Sequence, residues 1–87
     1  MAKYLFQASY TTDGVKGLLK EGGTARRAAV DAMATSLGGS IESYYYAFGD
    51  HDLYIIADLA DNASAAAIAL TVGATGAAKV STTVLLT

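Results

Sequence analysis

The spacing of apolar and polar positions changes along the chain, and each change marks an element. "KYLFQASYT", Lys3 to Thr11, is rich in aromatic residues and alternates only loosely, which predicts a strand buried on both faces. "TDGVKGLLKE" is weakened by Gly14 and Gly17 but still predicts a short helix, with Thr12 or Asp13 accepting its first free amides and the "EGG" after Lys20 breaking it. From Thr24 the period becomes helical: Ala25, Ala29, Met33 and Leu37 share a stripe, while Arg27 and Asp31 stand apart from it. This is an amphipathic helix expected to start at a Thr24 cap and stop at Gly38 and Gly39.

"SIESYYYAF" and "DLYIIADLA" then read as two β runs joined around Gly49, an antiparallel hairpin. In the second run Leu53, Ile55, Ala57 and Leu59 are wholly apolar and should face the helices, which sends Tyr54, Ile56 and Asp58 to the other side. "DNASAAAIALTVGATG" opens with Asp61 and Asn62 as caps, continues with alanines that favour a helix lying close to a sheet, and ends at Gly73 or Gly76. "AKVSTTVLLT" closes as a strand with Val80, Thr82, Val84 and Leu86 on one side and Ser81, Thr83 and Leu85 on the other.

The resulting order is β, α in two pieces, β, β, α, β over residues 1–87 taken as one domain. It predicts an α+β, ferredoxin-like βαββαβ fold with a four-stranded antiparallel sheet and both helical layers on one face. The other face decides the assembly. The four strands together carry only Lys3, Glu42, Asp58 and Lys79 in their bodies. A solvated face would carry more charge, so the expectation is that a second copy covers it, giving a homodimer or higher homo-oligomer.

Composition narrows the function classes. Only 16% of residues are charged against 53% hydrophobic, in keeping with a covered face. A net charge of −2 and six scattered Lys and Arg give no basic patch, so neither nucleic acid nor an anionic membrane is an expected partner. The absence of cysteine excludes thiolate nucleophiles and Cys-ligated metal or cluster sites. "MAKYLFQASY" lacks the pattern of a secretory signal and no apolar run approaches the ~20 residues of a membrane span, so cytoplasmic localisation is the default expectation.

At "YYAFGDHDLYIIADL", "ATGAAKVSTTVLL", "KYLFQASYTTDGVKGLLKEGG" and "RRAAVDAMATSLGG" the chain resembles the GYD-domain family, within the larger group of dimeric α+β barrels. The resemblance implies a ferredoxin-like protomer that pairs through its open sheet face. The family's namesake run is Gly, any residue, Tyr, Asp; Gly49 and Asp52 match it, and His51 stands at the tyrosine position. The wider group includes cofactor-free oxygenases, isomerases, haem proteins and members without shown activity, so the resemblance chooses no reaction.

The residues themselves offer a few candidates. His51 is the one side chain with an ordinary pKa near neutrality, and a proton-transfer or haem-ligand role competes with the plainer reading of "GDHD" as a turn built by Gly and Asp. One imidazole and carboxylates are a thin set for zinc, and no cofactor is predicted. Asp58 on the open face is the acid that burial could turn into a base, with Gln7 and Ser9 as possible polar companions. Six tyrosines provide either interface packing or the lining of a site for an apolar or aromatic ligand, and Tyr10, Tyr45, Tyr54 and His51 are the expected lining. Arg26 and Arg27 diverge around their helix and read as a solvated face with an Arg27–Asp31 pair.

The expectation is therefore a small dimeric α+β barrel that binds a small apolar or aromatic molecule. The rival is an assembly or regulatory protein using its sheet only to oligomerise. A lesser alternative is a cofactor-free monooxygenase or isomerase with His51 or Asp58 as base. A cavity of roughly 300 Å³ or more with phenols and a shielded acid would favour the ligand reading.

Overall fold

The computed structural model describes residues 2–87. Its elements run β1 (Ala2–Tyr10), α1 (Thr12–Glu21), α2 (Gly23–Ser36), β2 (Ser40–Tyr46), β3 (Leu53–Leu59), α3 (Asn62–Ala74) and β4 (Ala78–Leu85). The strands form one antiparallel sheet in the order β2-β3-β1-β4. This is the ferredoxin-like α+β arrangement that the order of elements implies, with the first helical segment in two pieces.

Side-chain parity divides the sheet. Tyr4, Phe6 and Ala8 of β1 and Leu53, Ile55, Ala57 and Leu59 of β3 are buried beneath the helices together with Tyr44, Ala34, Ala65, Ile68 and Ala78. Burying a side chain the size of Leu59 stabilises the fold by about 1.5–3 kcal/mol. Tyr4 is 1% exposed, and its hydroxyl donates to Asn62 Oδ1 at 2.7 Å, so its one polar atom is satisfied by the first turn of α3. Within the protomer β1 is not buried on both faces: Lys3, Leu5, Gln7 and Ser9 are only half-buried on the helix-free side.

The starts of α1 and α2 depart from the expected caps, while α3 is capped by Asp61 as expected. The Gly14 amide of α1 donates to Thr11 Oγ1 at 3.1 Å, so the cap is Thr11, not Thr12 or Asp13. An element starting at Thr12 needs its acceptor one position earlier, in extended backbone. The "EGG" redirects the chain instead of breaking it: Gly22, at φ +89°, ends α1 and opens α2 at once, with no side chain capping α2. Thr24 is therefore inside the first turn. At α3 Asp61 Oδ1 accepts the Ser64 amide at 2.8 Å. That amide, and then the Ser64 hydroxyl, hold the Asp61 carboxyl below its usual range.

The inward stripe of α2 is also turned from the expected one. Val30, Met33 and Leu37 pack on the core and Ala34 is within it, whereas Ala25 is exposed. Extended one turn towards the helix start, this stripe reaches Arg26.

Candidate functional site

Between the helices and the sheet lies a cavity of about 220 Å³. Phe6, Ala8, Ile55 and Val80 form its floor; Val30 and Met33 of α2 and Ile68 and Val72 of α3 form its walls. Where β1 ends, β4 begins and α2 starts, Tyr10, Arg26 and Tyr44 are polar groups of the lining whose hydroxyls and guanidinium can turn to a ligand. The hydroxyls of Thr71 and Thr75, also in the lining, donate to the Ala67 and Val72 carbonyls of α3. The cavity is smaller than the roughly 300 Å³ expected, but larger than the ~150 Å³ that accommodates a benzene ring in an apolar protein interior. Its shielded charge is a cation, not an acid.

The polar end is ordered by a short hydroxyl chain. Tyr46 Oη donates to the Gly23 carbonyl at 2.9 Å, which uses its only hydrogen. The 3.4 Å contact between Tyr44 and Tyr46 hydroxyls is therefore donated by Tyr44. The two rings meet edge to face with centroids 5.3 Å apart, and the Arg27 guanidinium lies 5.8 Å from the Tyr44 centroid. Burial, then the Tyr46 hydrogen bond, push the Tyr44 phenol far above its usual range. Burial, then the neighbouring Tyr46, also raise Tyr10. Tyr10 Oη and Arg26 Nε are both shielded from solvent and neither makes a hydrogen bond of ordinary geometry; the Tyr44 hydroxyl stands near enough to Tyr10 to oppose the effect of burial on its phenol, but not at bonding geometry.

The other expected site residues fall on the opposite face. Cross-strand pairing puts Tyr45 beside Tyr54 and Tyr54 beside Gln7, with Ile56 beside Leu5 in the adjoining row. His51 packs edge to face on Tyr54, centroids 5.9 Å apart, and its Nδ1 is 3.4 Å from Ser9 Oγ. Ser9 Oγ is also 3.3 Å from the Asp50 carbonyl. Asp58 lies at the far end of this face, its Oδ1 3.0 Å from Lys3 Nζ, with Glu42 Oε2 at 3.2 Å from the same ammonium. Asp58 and then Glu42 raise the Lys3 pKa by accepting from it.

Thus the structure brings His51, Tyr54 and Tyr45 together, holds Asp58 apart in an ion-paired cluster, and sends Tyr10 through the sheet to the helix side. Asp52 does not orient His51. Its side chain accepts the Tyr10 amide at 2.8 Å, while its own amide donates to the Ala8 carbonyl and its carbonyl accepts from Ala47, each at 2.8 Å. Among the described residues no group of three or more His, Asp and Glu side chains is placed to hold a metal ion, and no helix is long and apolar enough to cross a membrane.

Arg26 and Tyr44 are absent from the expected lining. The signal for Arg26 was its position four and seven residues before Val30 and Met33, which the poorly discriminating alanines of α2 obscured. Tyr44 follows from β2 pairing, where it sits opposite Ile55 of the core face.

The fold and the two-sided placement of tyrosines define a ferredoxin-like α+β protein with an apolar internal cavity. The chain belongs to the GYD domain family, whose model matches residues 4–87. No curated protein and no solved structure matches it significantly.

Proposed function

We propose that this GYD-domain protein is a homodimeric α+β barrel that binds a small apolar or aromatic molecule within each protomer. The observation that carries the reading is the internal cavity of about 220 Å³, aliphatic and aromatic over most of its wall and polar at one end. A void of this size forfeits dispersion contacts unless something fills it. Pairing is supported by the helix-free face: its ionic groups Lys3, Asp58 and Glu42 largely satisfy one another, Lys79 stands at the edge on β4, and Leu5, Ile56, Tyr45 and Tyr54 give the middle of the face its apolar and aromatic contact surface. Tyr45 is 66% exposed in the protomer.

Calorimetric titration with toluene and indole tests the ligand reading directly. Saturable binding that is weakened by Val30→Trp, which enlarges an inward-facing wall residue of α2, is the expected result. No binding by either probe, in protein whose thermal unfolding is cooperative, would leave the second reading: an assembly protein that uses its sheet only to oligomerise. The same open face supports that second reading. Catalysis with His51 or Asp58 as base would have to run on this open face, because the sheet separates both residues from the internal cavity.

A further inference from the structure

The polar end of the cavity specifies more than an apolar guest. Arg26 Nε is a donor with no acceptor, and Tyr10 Oη, also unpartnered, lines the same end. The Arg26 guanidinium is otherwise met by Glu21, whose Oε2 stands 3.8 Å from Nη2, on the α1 side. Gly17 of α1 leaves room for it: a Cβ there would lie 3.0 Å from Nη2. The guanidinium is thus held from one side by α1 and presents its Nε edge unfilled.

The missing partner is an acceptor that can take two donors at once. A carboxylate offers two oxygens and no hydrogens, and matches a guanidinium edge and a phenol together. Glu21, largely solvated and 3.8 Å from Nη2, compensates the guanidinium only in part, which leaves a place for one negative charge. A dianion such as a phosphate ester would leave a charge uncompensated in these apolar surroundings. A neutral hydrocarbon would leave both donors unsatisfied. The cavity volume, between that of one ring and that of a larger ligand site, limits the body of the molecule.

We infer that the cavity takes a one-ring aromatic monocarboxylate, its ring among Val30, Met33, Ile55 and Ile68 and its carboxylate accepting from Tyr10 Oη and Arg26 Nε. This rests on the ligand-binding reading and adds to it the chemical class of the ligand.

Titrating the native protein with benzoate and with toluene separates the two. Benzoate is expected to bind at least about tenfold more tightly, the worth of a hydrogen bond to a charged group. Arg26→Gln should erase that preference, and Tyr10→Phe should weaken benzoate severalfold. Equal or tighter binding of toluene to the native protein would overturn the carboxylate assignment and leave the cavity reading standing, as would an Arg26→Gln protein that still prefers benzoate. Binding of neither compound would overturn both. Should Arg26→Gln fail to fold, the native comparison decides the matter alone.

Discussion

The carboxylate of Asp52 accepts the backbone amide of Tyr10 at 2.8 Å, tying the hairpin loop to the last residue of β1. Through that bond the "GDHD" corner fixes where the Tyr10 side chain enters the cavity. Asp52→Ala is expected to lower stability by about 1.5–3 kcal/mol, the range for a hydrogen bond to a charged group. His51→Ala, which removes an edge contact on Tyr54 and no well-made hydrogen bond, should change stability by less than about 1 kcal/mol. Chemical denaturation of the two variants checks the contrast. A larger loss for His51→Ala would mean that the imidazole, not the carboxylate, holds the corner.

Gly14 is buried at the start of α1, and a Cβ there would collide with the carbonyl of Ala77. The same junction is held by the Thr11 amide donating to Ala77 O at 3.0 Å and by Thr11 Oγ1 donating to Gly76 O at 2.7 Å. Gly14→Ala is therefore expected to cost about 1–3 kcal/mol through overpacking against fixed backbone, despite the better helix propensity of alanine. Gly73→Ala, with nothing within 4 Å of the added atom, should stabilise α3 by about 0.5 kcal/mol. Thermal unfolding should move in opposite directions for the two substitutions.

Much of this architecture was legible because strands and glycines give crisp signals. The alternation Leu53, Ile55, Ala57, Leu59 assigned a face correctly, and cross-strand pairing then oriented everything beside it. Strand β1 gave no such signal: Tyr4, Phe6, Ala8 and Leu5 are all compatible with burial, so the side taken by Tyr10 came from register with Ala78 and not from its own pattern. The Asp61 cap of α3 was read correctly; that of α1 was misplaced by a residue because Thr11 and Thr12 are chemically equivalent and only backbone geometry distinguishes them, and α2 takes no side-chain cap at all. On α2, alanines occupy inward and outward positions alike, which hid the inward reach of Arg26. Long side chains with a charged tip read as surface in a sequence and take the inward path only when packing makes it available.

Alkaline pH should destabilise the fold early. Burial raises the phenols of both Tyr44 and Tyr10 in the folded protein. A group whose folded pKa lies above its unfolded value contributes stability that is full below the unfolded pKa, about 10 for tyrosine, and is lost as pH climbs from there towards the folded pKa. Lys3, raised by Asp58 and Glu42, acts in the same direction at the sheet surface. The melting temperature should be flat with respect to these groups below about pH 9 and fall beyond pH 10. Tyr44→Phe should make that fall shallower. An alkaline limb identical in the variant would show that the Tyr44 hydroxyl is not shielded as its burial implies.

The open sheet face and the outer side of α3 compete as places where two copies could meet. Leu70 on α3 is 73% exposed and borders a shallow groove with Val84 of β4. Ile56 is half-buried at the centre of the sheet face, paired with Leu5 across β1 and β3. A carboxylate placed at the centre of a packed apolar interface costs about 3 kcal/mol or more, enough to shift a dimer to monomers at micromolar concentration. Ile56→Glu is therefore expected to reduce the mass seen by sedimentation from twice 8.9 kDa to 8.9 kDa, while Leu70→Glu leaves it unchanged. Because Ile56 does not point into the helix-side core, its variant should keep the far-ultraviolet circular dichroism of the native protein. Dissociation by Leu70→Glu alone would move the interface to the α3–β4 groove, and a native protein that sediments as a single copy would remove the barrel altogether.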